Sequence, residues 1–142
     1  GAYAAVVPKF ADMMAQGIVP KINGDGMHTR DFVHVHDVCS ALLSLLDGEW
    51  KAEPYHVYNV ATQTKITLLD LIEAINNTLM KIQEGFEPII PIHGPERVGD
   101  IRHSMANIER IQNTLGWKPK VDFQDGIEEL VRERLKLKED DF

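Results

Sequence analysis

The sequence predicts a mixed α/β fold with an incomplete sheet: few short strands and about five helices along 142 residues. Three observations predict it. Segments with apolar residues at helical spacing alternate with short runs rich in β-branched and aromatic residues. Glycine and proline punctuate the changes between them. The strand-like runs are few and far apart, so few can lie side by side, and their edges call for strands from elsewhere.

In order along the chain, Ala4 to Gln16 reads as a helix with Ala5, Phe10, Met13 and Met14 on one side, Pro8 in its first turns and Gly17 as its stop. Lys21-Ile22-Asn23 is a short extended piece. Gly24-Asp25-Gly26 turns the chain, and Phe32-Val33-His34-Val35 alternates as a short strand. Val38 to Leu46 is an apolar helix ended by Asp47-Gly48, followed by a loop over Glu49 to Pro54. Tyr55 to Ala61 alternates and is rich in β-formers, so it reads as a strand. Thr67 caps a helix through Leu79, with Leu68, Leu71, Ile72 and Ile75 inward. Glu87 to Ile92 reads as an edge strand, because Pro88 and Pro91 each remove a ladder donor. Gly94 to Asp100 is a loop. Ala106 to Leu115 is a helix stopped by Gly116, with Pro119 just beyond. Asp125 to Lys138 is a last amphipathic helix carrying Ile127, Leu130, Val131 and Leu135.

Composition narrows the function. The chain is 44% hydrophobic and 26% charged, ordinary for a globular domain, and one domain is the expectation at this length. A net charge of -7 argues against nucleic acid, which needs a basic face. One cysteine, Cys39, excludes an internal disulfide and a cysteine-based zinc site; its apolar neighbours predict an inert buried thiol. No apolar run is long enough to span a membrane and no signal peptide is visible, so a cytoplasmic setting is expected.

The chemical groups are few. No Gly-x-Gly-x-x-Gly fingerprint, P-loop or serine nucleophile elbow is present. His34 and His36 form an H-x-H pair on a strand, so they share a face, with Asp37 adjacent; a metal site needs a third ligand and an open cavity, and ordinary hydrogen-bonded histidines are the expectation. Arg30 stands at the mouth of the Gly-Asp-Gly turn. Its planar fork suits a phosphate or carboxylate, and pairing with Asp31 or Asp25 is the alternative. Pro95 to Ser104 brings Arg97, Gly99, Asp100, Arg102 and Ser104 into one loop. That set can grip an anion and hydroxyl groups, or form local arginine–acid pairs.

T-R-D-F-V-H-V-H-D-V, then Y-N-V-A, T-L-L-D-L-I, R-V-G-D-I-R-H-S and L-G-W-K-P follow one another in an order that resembles the C-terminal half of extended short-chain dehydrogenase/reductases. Within these the chain looks most like UDP-glucose and UDP-N-acetylglucosamine 4-epimerases, and A-Y-A-A-V-V-P-K-F resembles the N-acetylhexosamine branch. The resemblance covers almost the whole chain. Dehydratases, decarboxylases and reductases of the family share several of the motifs.

The resemblance implies a UDP-sugar site. Ala5 and Val6 would lie against the substrate, Lys21 and Asn23 beside the uracil, and Arg30 and Arg97 on the diphosphate. Leu68 would wall the ribose and Asp100 bond it. Ser104 matches a position where a small residue leaves room for an N-acetyl group; capping a helix near Met105 is its other reading. The resemblance also implies NAD for the complete enzyme, with hydride removed from C4 and returned to the other face. The family's Tyr-x-x-x-Lys pair is not here: Tyr3, Tyr55 and Tyr58 are followed four places on by Val7, Asn59 and Thr62. The expectation is a substrate-binding region, residues 1–142, that is not catalytically self-sufficient and whose Rossmann half lies elsewhere. The alternative is a stand-alone module that binds a nucleotide sugar or self-associates through exposed strand edges.

Overall fold

The computed structural model describes residues 6–47 and 57–139, with side chains through residue 136. Five helices and four short strands are described: α1 Val6–Ala15, β1 Lys21–Asn23, β2 Thr29–Arg30, α2 Val35–Asp47, β3 Ile66–Thr67, α3 Leu68–Ile82, β4 Ile92–Gly94, α4 Glu109–Leu115 and α5 Phe123–Glu139. The expected α/β class, helix number and sparse strands are therefore met. The chain divides into two compact units. The first comprises residues 1–28, 67–102 and 124–142; the second comprises residues 29–66 and 103–123.

In the first unit, α1 buries Val6, Phe10, Ala11 and Met14 and packs against α3. Gly17 ends α1 as expected, at φ +72°, where a left-handed residue costs glycine little. Thr67 caps α3 through a capping box. Its hydroxyl accepts the Asp70 N–H (3.0 Å), and the Asp70 carboxylate accepts the Thr67 N–H (2.8 Å). The four inward positions expected in α3 are all buried, joined by Ala74, Thr78 and Leu79. On α5, Ile127 and Val131 are buried, whereas Leu130 and Leu135 are half-buried. β1 pairs in parallel with β4, Lys21 opposite Ile92 and Asn23 opposite Gly94. The strand expected over Glu87 to Ile92 begins only at Ile92. Pro88 and Pro91 supply no donor, and the Asn76 side chain instead takes both backbone groups of Ile89, at 2.9 Å each.

In the second unit, Ala41, Ala61, Ile108, Ile111 and Trp117 form a small core, with Tyr58, Val60, Ala106 and Leu115 against it. The strand expected at Tyr55 to Ala61 is not formed over Val57–Ala61, and Tyr55 lies outside the described residues. The alternation is real: Tyr58 and Val60 face inward while Val57 and Asn59 are exposed. No strand ladder is described over them; instead the Val57 carbonyl accepts from Arg110 (3.1 Å) and the Asn59 side chain donates to the Asn107 carbonyl (3.1 Å). The strand expected at Phe32–Val35 is displaced to Thr29–Arg30, and α2 starts three residues earlier than expected. His34 starts it: its carbonyl accepts from Asp37 and Val38, and its Nδ1 accepts the His36 N–H (3.2 Å). His36 is thus helical, and the two rings meet edge to face, 4.8 Å apart.

Asp37 is 3% exposed. Its carboxylate accepts the backbone N–H of Lys120 (2.8 Å) and Val121 (3.1 Å). The Trp117 indole N–H donates to Ser40 Oγ (2.8 Å), and that hydroxyl donates to the Asp37 carbonyl (2.8 Å). Cys39 is exposed, not buried. The apolar residues of α2 did not all turn inward: Val35, Leu42, Leu43 and Leu46 are exposed with it, and Ala41 supplies the buried apolar contact. The fourth helix starts at Glu109, not Ala106, where Asn107 Oδ1 accepts the Glu109 N–H (2.8 Å). Ser104 therefore does not cap it.

Candidate functional site

In the first unit the site is built on the β1–β4 pair. Strand alternation buries Ile22 and leaves Lys21 and Asn23 exposed on one face. Gly94, opposite Asn23, lets the Lys21 stem pass close: a Cβ there would stand 2.7 Å from Lys21 Cε. The turn after β1 has Gly24 and Gly26 at positive φ, and Asp25 Oδ1 accepts the Met27 N–H (2.9 Å). Gly26 lies tight against Ile22 and Leu69, so Leu69 rather than Leu68 faces this turn. Leu68 itself is 7% exposed, a core residue that offers at most a wall.

β4 leads into the loop carrying Arg97 and Asp100. The Asp100 N–H donates to the Arg97 carbonyl (3.3 Å), and Gly99 has φ +80°. These features are those of a type II turn, whose third residue needs a positive φ. Arg97 and Asp100 thus stand at the two ends of one turn. Arg97 is exposed, and its guanidinium has no hydrogen bond or ion pair to any other described residue. Arg102 differs. It donates to Asp25 Oδ2 (2.6 Å) and lies 3.5 Å from Glu96 Oε1. The Arg102 hydrogen bond, aided by the Met27 N–H, holds the Asp25 carboxyl below its ordinary range; Asp25 in turn raises Arg102. Of the two readings of this loop, local arginine–acid pairing fits Arg102, and the open-anion reading fits Arg97.

In the second unit Arg30 and Ser104 converge on one backbone group. The Thr29 carbonyl accepts both the Ser104 N–H (3.2 Å) and the Arg30 guanidinium (2.8 Å). Thr29 bridges in parallel with His103, and its hydroxyl is 3.0 Å from His103 Nδ1. Asp31, one of the acids considered for Arg30, is taken up by the loop after Ala61: it accepts from Thr62 N, Thr62 Oγ1 and Gln63 N at 2.6 to 2.9 Å. Val6 is buried in α1, and Ala5 lies outside the described residues. Sequence reasoning missed Asp25 and Arg102 as partners. The only signal was one acid in a Gly-Asp-Gly turn and one arginine after the Arg-x-Gly-Asp run.

Comparison with known proteins identifies the family. A family model for GDP-mannose 4,6 dehydratase matches residues 3–130. The chain belongs to this family. It is thus a member of the NAD-dependent epimerases and dehydratases of the extended short-chain dehydrogenase/reductase group, as the sequence motifs implied. A putative UDP-glucose 4-epimerase of Methanocaldococcus jannaschii is 34% identical over 90% of this chain and 38% of its own length. The fold is similar to the Thermotoga maritima UDP-glucose 4-epimerase solved with UDP-glucose, with a TM-score of 0.78 and 30% identity over 93% of this chain and 40% of that one. It is equally similar to the UDP-N-acetylglucosamine 4-epimerase of Methanobrevibacter ruminantium solved with UDP-N-acetylmuramic acid, with a TM-score of 0.79 and 31% identity over 96% of this chain and 41% of that one. The chain therefore spans about two-fifths of the length of these relatives.

The family implies NAD. The residues of this chain do not fit it: the described β-to-α connections lack the glycine-rich turn that cradles a dinucleotide pyrophosphate, and the sequence has no such motif.

Proposed function

We propose that this chain is the nucleotide-sugar-binding portion of a UDP-hexose 4-epimerase, suited to an N-acetylated hexose and dependent on a dinucleotide-binding half for catalysis. The observation that carries the proposal is Arg97, exposed and without a described partner, on the turn that also presents Asp100, with exposed Lys21 and Asn23 on β1 in the same unit. A guanidinium held open at a turn suits a diphosphate, and a carboxylate suits ribose hydroxyls. Within the second unit, Arg30 and Ser104 are both tied to the Thr29 carbonyl, an arginine and a small residue on one backbone group. The small size of Ser104 supports room for an N-acetyl group. The chain's part in the reaction is to bind and orient the nucleotide.

Calorimetric titration with UDP, UDP-glucose and UDP-N-acetylglucosamine, alongside Arg97→Ala and Arg30→Ala, tests this. Each substitution is expected to weaken binding about tenfold to a hundredfold, as loss of one arginine–phosphate contact does. Affinity that survives both substitutions would refute the assignment. The substrate profile of the reconstituted enzyme separates epimerase from dehydratase or decarboxylase. A second reading, an assembly module, is favoured by the exposed apolar residues of α2, Val35, Leu42, Leu43 and Leu46. Light scattering that gives a monomer at high concentration would count against self-association through that surface.

A further inference from the structure

We infer that Asp25, Arg102 and Glu96 form an ion latch that positions the Arg97–Asp100 turn for a nucleoside diphosphate, with Arg102 as a positioning residue and Arg97 as the anion ligand. The inference rests on the nucleotide-sugar reading above and adds how that site is held open and what loosens it.

The loop is tied to the Gly24–Gly26 turn at both ends. At its start, Asn23 pairs with Gly94, the Gly24 N–H donates to the Gly94 carbonyl (3.0 Å), and His93 Nδ1 bonds the Gly24 carbonyl (2.7 Å). A carbonyl only accepts, so His93 carries a proton on Nδ1. At its far end Arg102 donates to Asp25 in the same turn, 77 positions away in sequence. The turn is built to receive it. Its two positive-φ glycines and the Met27 N–H aim Asp25 Oδ2 outward, toward Arg102. Glu96 is drawn in by the missing Cβ of Gly24, which would stand 2.6 Å from Glu96 Cγ, and so brings a second carboxylate to Arg102. Between these ties stand Arg97, Val98, Gly99 and Asp100.

Charge sharpens the distinction between the two arginines. Arg102 is matched against two carboxylates, so it has little attraction left for an anion. Without the latch, two acids and a slack loop would face a diphosphate. On charge alone, Asp25→Asn removes a negative group from the neighbourhood and frees Arg102, so it would tighten anion binding. The latch predicts the opposite sign.

The test uses the 142-residue chain with UDP as probe. Backbone amide exchange of residues 95–101 and calorimetric UDP affinity are measured for wild type, Asp25→Asn, Arg102→Gln and Glu96→Gln. Asp25 and Glu96 are exposed, so the variants keep the fold. Asp25→Asn and Arg102→Gln are expected to weaken UDP binding about twofold to fivefold and to speed loop exchange, the scale of an exposed ion network; Glu96→Gln does so less. High salt should erase the difference between wild type and variants. Unchanged loop exchange, or tighter UDP binding by Asp25→Asn, overturns the latch while leaving the nucleotide reading intact. Failure of the wild-type chain to bind UDP at millimolar concentration overturns that reading, and the latch's role with it.

Discussion

Replacing Asp37 by alanine should destabilise the chain by about 2–4 kcal/mol. The magnitude follows from its partners. The carboxylate is buried and accepts two backbone donors, Lys120 N–H and Val121 N–H. A hydrogen bond to a charged group contributes about 1.5–3 kcal/mol, and a buried donor left unpaired forfeits its desolvation as well. Lys120 is exposed, so water recovers part of the loss on its side. At about 3 °C per kcal/mol for a chain this size, the melting temperature should fall by about 6–12 °C. Trp117 is a suitable reporter, because its indole joins the same network through Ser40 and is 4% exposed. Urea titration followed by tryptophan fluorescence gives the change in midpoint. Asp37→Asn keeps one acceptor oxygen and should fall between wild type and alanine. If Asp37→Ala melts within a degree of wild type, the carboxylate does not hold the segment after α4, and the account of α2 is wrong.

Three further outcomes are expected. Gly26→Ala should cost about 2–3 kcal/mol, read as a lowered urea midpoint: its φ of +74° is strained for alanine, and the new Cβ would stand 2.7 Å from buried Ile22. Thr67→Ala removes the capping box of α3 and should lower stability by about 1 kcal/mol in the same assay. Stability should fall on acidification below about pH 4, because Asp25 and Glu128 are both held below their ordinary values, Asp25 by Arg102 and Glu128 by Lys81 and then Arg132. A lowered folded-state value gives stability that is complete above the unfolded value and lost as pH falls through the folded one. Both groups are exposed, so Asp25→Asn with Glu128→Gln should flatten the acid limb at low salt and leave it unchanged in 1 M salt; an identical acid limb at low salt would contradict the pairing.

What could be read from the sequence is what is local. The Thr67 cap and the inward face of α3 lie within a few residues of each other, and so do the glycine stops at Gly17 and Gly116. What could not be read depends on distant partners. A strand is defined by its neighbour, so Tyr58 and Val60 keep the right alternation in a segment with no ladder among the described residues. Apolar composition marks α2 as a helix without saying which face is covered, so Cys39 was misjudged. Asp37 is held by partners 83 and 84 positions away, which no local pattern announces. The site shows the same division. Arg97 and Asp100 lie in one short motif, and the structure adds only the turn that presents them. Asp25 and Arg102 are charged residues like many others until the fold brings them to 2.6 Å.

The three arginines of interest differ in how much of their freedom folding has already removed. Arg30 is half-buried and donates to its own strand's backbone, so its ordering is largely complete before any ligand arrives. Arg102 is ordered by acids and turned away from anion work. Arg97 is the least constrained of the three: exposed, on a glycine turn, with its guanidinium unengaged among the described residues. A long side chain that orders only on binding gives back about 0.5–1.5 kcal/mol of the contact it makes. Ligand affinity through Arg97 therefore depends on how well the backbone beneath it is fixed, and that backbone is held by the Gly24–Gly26 turn and the ties at either end of the loop. This is why an exposed ion pair, weak as a contributor to global stability, can still matter locally: it acts on the few residues whose order sets the position of the anion ligand.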